Sequence, residues 1–283
     1  MTTYAVTGAS GQLGHLIVDS LLARGVDAVD IVAIARTTSK AADLAERGVE
    51  VRHGDYDDVA SLDAALAGVD RLVLVSASEV GKRVDQPQRV IDAAERAGVG
   101  RIVYTSLLKA DATSNPLAPE HASTESALAA STIPATILRN SWYIENYAGQ
   151  IPQYVATGTI LSATADAPLS AATRADYADA AAAAAIQDEA SGTYELAGPT
   201  FTLSELAAAV STATGKDVAH RAVSVDELTT TLQDAAGMDA GTAGFWASVD
   251  ASIAQGDLRA DAADLESLIG RRATSLADAL AAA

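Results

Sequence analysis

The first chemistry the chain offers is a glycine-rich turn. Gly8-Ala9-Ser10-Gly11-Gln12-Leu13-Gly14 follows an apolar run and opens a stretch with helical periodicity. In that setting each glycine has a task. Gly8 permits a tight turn, Gly11 lets backbone approach a diphosphate, and Gly14 lets helix and strand pack closely. The helix start adds free N–H groups and a partial positive charge, which suit phosphate. The turn therefore reads as a dinucleotide site rather than an ordinary strand–turn–helix. The end of the next apolar run selects the dinucleotide. Asp or Glu there would hold a ribose 2′-hydroxyl. This chain has Ala35-Arg36-Thr37-Thr38 instead. An Arg forks onto a 2′-phosphate that a carboxylate would repel. NADP(H) is thus favoured over NAD(H). Lys40 either adds charge there or faces solvent from a helix. Asp55 lies just beyond the third strand, where adenine rests against such sheets, and capping a turn is an equal reading. Ser76, Ala77 and Ser78 follow the fourth strand, at the carboxyl ends where ligands of such sheets bind.

A turn of this kind needs a parallel sheet behind it. Short apolar runs predict strands at 4–6, 31–35, 49–52, 72–75, 102–105, 136–138 and 193–196. Helical spacing falls between them, at 12–23, 40–47, 59–67, 83–97 and 120–130. Leu13, Ile17 and Leu21 mark one face of the first helix. Gly48 and Gly98 close two others. Strands that are apolar throughout fit a sheet covered on both faces. Beyond about residue 150 helices dominate, at 175–187, 203–214, 225–235, 242–253 and 262–268. The expected fold class is α/β, a Rossmann-type doubly wound parallel sheet with a small, mainly helical C-terminal lobe. Residues 1–150 would form the NADP-binding core, and residues 151–283 the remaining sheet elements and a small substrate lobe, in one integrated domain.

Composition narrows the partners. The 283 residues contain no cysteine, which excludes disulfides and thiolate chemistry. His15, His53, His121 and His220 lack ligand spacing, so no metal site is expected. A formal charge of −18 repels polyanions and argues against nucleic acid. Met1-Thr2-Thr3-Tyr4 leads straight into the first strand, with no signal peptide. The longest apolar run, near 180–186, is too short to cross a bilayer. The expectation is a soluble cytoplasmic protein with a small-molecule partner and no membrane partner.

Several segments together resemble the atypical short-chain dehydrogenases of the NmrA-like group, and within it the bacterial type 2 NADPH:quinone oxidoreductases. They include the first glycine turn, Ser78-Glu79-Val80-Gly81, Tyr104-Thr105-Ser106, Leu138-Arg139-Asn140 with Trp142-Tyr143, and Glu145-Asn146-Tyr147. Later matches are Ala172-Thr173-Arg174-Ala175-Asp176-Tyr177 and Tyr194-Glu195-Leu196. The resemblance spans nearly the whole chain. Triphenylmethane dye reductases are similar in the cofactor loop and much of the later chain but lack the Ser78–Gly81 and Trp142-Tyr143 matches. By resemblance, cofactor contacts come from Gly8, Ala9, Ser10, Gly11, Gln12, Leu13, Arg36, Asp55 and Ser76 to Ser78. Asn140, Ser141, Trp142, Tyr143, Ile144 and Glu145 would lie near the nicotinamide. A homodimer is a family expectation. Three positions depart from the family pattern. Ser141 stands for Gly, Ile144 for Ser, and Lys109 for His.

Most short-chain dehydrogenases protonate a carbonyl oxygen with a Tyr-x-x-x-Lys pair. No Tyr in this chain has Lys four residues on. Reducing a ketone makes an alkoxide, which needs that acid. Reducing a quinone makes a phenolate-like anion, whose acid has a pKa of about 10 by analogy with Tyr. Such an anion can wait for a solvent proton. Catalysis then reduces largely to holding two rings face to face. The candidate polar groups near those rings are Asn140 and Tyr143, with Lys109 and His121 as further candidates. Lys109 reads more readily as a solvated loop residue and His121 as a helix N-terminal polar residue, whereas Trp142 and Tyr143 read equally as core. Arg174 and Asp176 are expected to cap and cross-brace a helix start. The leading expectation is hydride transfer from NADPH to quinones or similar electron-poor aromatics. A reductase of dyes, imines or activated carbonyls and a non-catalytic NADP-binding sensor stay open.

Overall fold

The computed structural model describes residues 1–76, 85–188 and 191–282. Strands β1 (Tyr4–Val6), β2 (Ile31–Ala35), β3 (Glu50–His53), β4 (Arg71–Leu74), β5 (Arg101–Leu107) and β6 (Ala135–Asn140) alternate with helices α1 (Gln12–Ala23), α2 (Ala42–Glu46), α3 (Val59–Leu66), α4 (Asp85–Ala97) and α5 (Ala118–Ala130). Helices α6 (Glu145–Ala148), α7 (Ile151–Thr157) and α8 (Arg174–Ile186) follow, with β7 (Thr159–Ser162), β8 (Leu169–Ser170) and β9 (Gly192–Leu196) among them. The chain ends in β10 (Thr200–Phe201), α9 (Leu203–Thr214), β11 (Ala219–Ala222), α10 (Val225–Ala236), α11 (Ala240–Ala254), α12 (Ala263–Ile269) and α13 (Leu276–Ala281).

Seven strands form one sheet in the order β3-β2-β1-β4-β5-β6-β9. Every pairing in it is parallel. The expected α/β doubly wound sheet is what the chain forms. Period-two alternation sorts the strand residues between two cores. Tyr4, Val6, Ile31, Ala33, Val73 and Leu138 face α1, α2, α8 and α12. Ala5, Val32, Ile34, Leu72, Leu74 and Tyr104 face α3, α4 and α5. β1 and β2 are buried at every position, as their unbroken apolar runs imply.

Helix α8 is an alanine wedge. Ala178 and Ala180 through Ala185 are buried, sandwiched between α1, α12 and the sheet. A third core joins the carboxyl end of the sheet to the later elements, through Leu107, Trp142, Tyr147, Phe201, Leu206 and Val249. Two small sheets, β7 with β11 and β8 with β10, lie in this later part. They escape sequence reading because β8 and β10 have two residues each, and Thr159–Ser162 and Ala219–Ala222 lack an unbroken apolar run. The expected helix at 40–47 is a 3-10 turn, Thr38–Ala41, running into α2. Among the described residues, no helix is long and apolar enough to cross a membrane.

Asp176 fastens the C-terminal segment to α8. Its carboxylate is fully buried and accepts from Arg271 Nη1 at 2.7 Å, Thr274 N at 2.9 Å and Thr274 Oγ1 at 3.1 Å. Its own N–H is capped by Thr173 Oγ1 at 3.1 Å. The expected cross-brace with Arg174 does not form, because Arg174 turns instead to Asn146 and the ring of Tyr143. Arg271 is half exposed, so removing Asp176 strands no buried charge, and the loss is that of the hydrogen bonds to Thr274. Asp176→Ala should therefore lower the urea midpoint by an amount worth about 1–3 kcal/mol, with an unchanged slope.

Candidate functional site

The glycine turn leaves β1 at the point where the sheet order reverses, with β2 on one side and β4 on the other. Thr7 closes this junction. Its N–H donates to Val73 O at 3.0 Å, and its hydroxyl accepts from Val75 N at 3.0 Å. Gly8 sits at φ +61°, open to glycine and strained for other residues. A Cβ on Gly14 would lie 2.3 Å from Gly8 O, so α1 and the turn touch backbone to backbone. Gly11 N donates to Gly8 O at 2.8 Å and starts the helix. No side chain caps α1, and its first turn carries no acid. The helix end is thus left for an anion.

That end opens into a cavity of about 530 Å³. Among the described residues, its wall includes Gly8, Ser10, Gly11, Gln12, Leu13, Arg36, Asp55, Ser76 and Tyr143, all expected from the sequence. Gly14, Thr37, Lys40, Gly54, Tyr56, Val75 and Gln86 join them. Arg36 follows β2, and its carbonyl is 3.0 Å from His53 Nδ1 on neighbouring β3. Asp55 faces the cavity and also caps its own turn, accepting from Asp57 N at 3.0 Å. Tyr56 is a residue the sequence reading missed. Its hydroxyl donates to Val75 O at 3.2 Å, and burial pushes its pKa up to about 12. Gln86 is another. It is a buried polar residue in the first turn of amphipathic α4, with Nε2 donating to Asp57 at 3.2 Å. A polar side chain on an otherwise apolar helix stripe was the available signal. Ala77 and Ser78, like the segment through Gly81, lie outside the described residues.

The remaining candidates sit around the carboxyl end of β6. Ala9 is fully buried beneath the turn and does not line the cavity. Asn140 is 3% exposed, and its Oδ1 is unpaired among the described residues. Ser141 N donates to Leu196 O at 2.8 Å. Tyr143 is held from two sides, by Tyr177 edge-on at 5.4 Å and by the Arg174 guanidinium at 4.9 Å. Glu145 accepts from Arg174 N at 2.8 Å. Trp142 and Ile144 belong to the third core, with Trp142 edge-on to Trp246 at 6.5 Å. Lys109 is at φ +52°, with Nζ donating to Gly256 O at 3.1 Å. His121 is buried, with Nδ1 3.0 Å from the hydroxyl of Tyr104. Among the described residues, Tyr143 is the member of the 140–145 segment that lines the cavity, and Asn140, Lys109 and His121 do not.

Two further polar groupings lie in the later part of the chain. Ser162 Oγ is 2.8 Å from His220 Nε2, and His220 Nδ1 is 3.3 Å from Asp166. The order is that of a nucleophile, base and acid. Ser162 is only 2% exposed, so no acyl group reaches its oxygen, and the chain of bonds cross-links β7 to β11. Burial holds His220 below the ordinary histidine value, against the pull of Asp166. The second grouping is Asp250 with Tyr147 and Tyr154. Burial raises the Asp250 carboxyl to about 6, against one hydrogen bond from Ala163 N at 2.8 Å. Burial first, and the Asp250 charge second, raise both tyrosines above their ordinary value.

The chain belongs to the NmrA-like family, whose pattern matches residues 2–266. Quinone oxidoreductase 2 of Escherichia coli strain K12 is 44% identical over 278 residues, 98% of this chain and 96% of that one. The crystal structure of the E. coli NADPH-dependent quinone oxidoreductase QOR2 complexed with NADPH superposes with a TM-score of 0.95, 43% identity and 99% coverage of both chains. The Citrobacter sp. triphenylmethane reductase complexed with NADP(H) superposes at 0.92, with 36% identity over 98% of this chain and 99% of that one.

Two outcomes follow from this geometry. Gly14→Ala places a methyl 2.3 Å from Gly8 O and must displace the turn. NADPH affinity, read by fluorescence titration, should fall at least about tenfold, or 1.4 kcal/mol. Asp250 makes stability depend on pH. Folding raises its pKa from 3.8 to about 6. The folded chain therefore holds the extra proton between those values. The contribution is full below pH 3.8 and is lost as pH rises through about 6. The full span is at most about 3 kcal/mol. Asp250→Asn should remove this slope, so urea unfolding should show the variant gaining on the parent between pH 4 and pH 8.

Proposed function

We propose that the chain is an NADPH-dependent reductase that passes hydride to quinones or similarly electron-poor aromatic acceptors. The observation that carries this reading is the uncapped α1 terminus, opening on a cavity lined by Arg36 and Lys40, in a chain alike end to end with an NADPH-bound quinone oxidoreductase. The residues fit that cofactor. The backbone from Gly8 to Leu13 takes the diphosphate on free N–H groups and the helix dipole. Arg36 and Lys40 supply positive charge for a 2′-phosphate. Asp55 and Tyr56 border the cavity where an adenine would rest. Asn140 offers its unpaired Oδ1 to a carboxamide N–H or an acceptor hydroxyl. Tyr143, fixed by Tyr177 and Arg174, gives a rigid wall.

NADPH, when bound, supplies the hydride. The protein then holds the acceptor ring against it. No Tyr-Lys pair is required, because a phenolate-like product takes its proton from solvent. The likeness to the Citrobacter triphenylmethane reductase favours dyes as a second acceptor class. Demand for NADPH suits the cytoplasm, the charge of −18 disfavours nucleic acid, and a homodimer is the assembly we infer from the family.

Stopped-flow loss of NADPH absorbance with benzoquinone tests the proposal, and no acceleration over buffer refutes it. Higher kcat/KM with triphenylmethane dyes than with any quinone would favour the second reading. Arg36→Ala should raise the Kd for NADPH by about 10- to 100-fold, the value of one or two charge-assisted hydrogen bonds, and leave NADH unchanged.

A further inference from the structure

β6 ends in two polar residues on opposite faces of the sheet. Asn140 shares the face of Leu138, towards α1 and α8, and Arg139 shares the face of Ile137, towards α5. Arg139 is 8% exposed, and its guanidinium engages three carboxylates. Nε and Nη2 fork onto Glu125 of α5 at 3.0 and 2.7 Å. Nη1 reaches Asp111 at 2.9 Å and Glu195 of β9 at 2.8 Å. Glu125 also accepts from Ser106 of β5 at 2.5 Å. The other oxygen of Glu195 accepts the backbone N–H of Lys109 at 2.9 Å.

One cation against three acids exceeds what charge balance needs. Each acid comes from a different part of the fold: α5, the segment after β5, and β9. The cluster therefore ties the carboxyl ends of three neighbouring strands together at the step beside Asn140. It also holds Lys109 in a left-handed conformation that costs a non-glycine residue about 1–3 kcal/mol. From there Lys109 reaches Gly256, and Ser114 N and Oγ donate to Asp257 at 2.7 and 2.6 Å. The segment after β5 is thus latched to the turn that follows α11.

We propose that Arg139 is a positioning residue: through Glu195 and Asp111 it fixes the aim of Asn140 and the course of residues 107–115, which leave β5 beside Asn140. The consequence for reaction rests on the reductase reading above, whereas the mechanical consequence does not. Hydride transfer requires reacting atoms about 3–3.5 Å apart, and a 1 Å misplacement costs about 100-fold. Arg139 touches neither ring in this scheme and acts through its neighbours.

The test uses Arg139→Met and Arg139→Lys in the full chain. Hydrogen exchange without cofactor is read first. In Arg139→Met the peptide covering 107–115 should exchange at least about tenfold faster, while 12–23 and 31–35 stay as in the parent. A uniform rise along the chain, or none at 107–115, overturns the proposal. With NADPH and benzoquinone, kcat should fall at least about tenfold while the Kd for NADPH stays within about twofold. Arg139→Lys, which cannot fork, should recover only part of both losses. An equal loss of cofactor binding and turnover overturns the positioning role. Should Arg139→Met fail to fold, Glu195→Ala removes the Lys109 contact directly and must give the same local rise in exchange. If the parent chain oxidises no NADPH, the reductase reading falls, and the exchange result still decides the role of Arg139.

Discussion

The structure depends on two backbones touching at Gly14. Helix α1 leans on the turn so closely that no Cβ fits between them. This contact fixes where the helix begins, and so where its free N–H groups point. Thr7 then sets the turn against β4 with two hydrogen bonds. The crevice at the reversal of strand order follows from those contacts and from the sheet order. The cavity walls brought by β2, β3 and α4 are arranged around an end already in place.

Electrostatics makes that placement matter. The chain carries 37 acidic and 19 basic side chains, a field that works against any anionic ligand. Attraction must therefore be local. Charges in solvent are screened within about 8 Å at physiological salt. Arg36, Lys40 and the α1 terminus all line the cavity, in reach of a ligand seated there.

The central sheet was legible because β1, β2 and β4 carry short apolar runs and α1 and α4 between the strands carry an apolar face at helical spacing. Helix α9 matches its expected bounds, since Thr202 and Glu205 form a capping box that marks its start. The phosphate end of the site was legible for a similar reason: a local backbone shape demands particular residues at fixed spacing. The other end was less so. Nothing in the segment from Asn140 to Glu145 distinguishes Tyr143, which lines the cavity, from Trp142 and Ile144, which pack into the third core. That division arises from the isolated bridge between Tyr143 and Ala172, a contact far apart in sequence. Tyr56 and Gln86 were missed because they serve through long-range contacts with Val75 and Asp57. The pairing of Asp176 with Arg271 was missed for the same reason.

The alanine run in α8 looks like compositional bias in the sequence. Packed between α1, α12 and the sheet, it works as a spacer of fixed width. A methyl group is the largest side chain that keeps α1 at its distance, and bulkier replacements in such a core cost about 1–3 kcal/mol. The run leaves no room for larger side chains in this core, although no residue there carries any chemistry. The helix that supports the cofactor turn is gauged by the absence of side chains behind it.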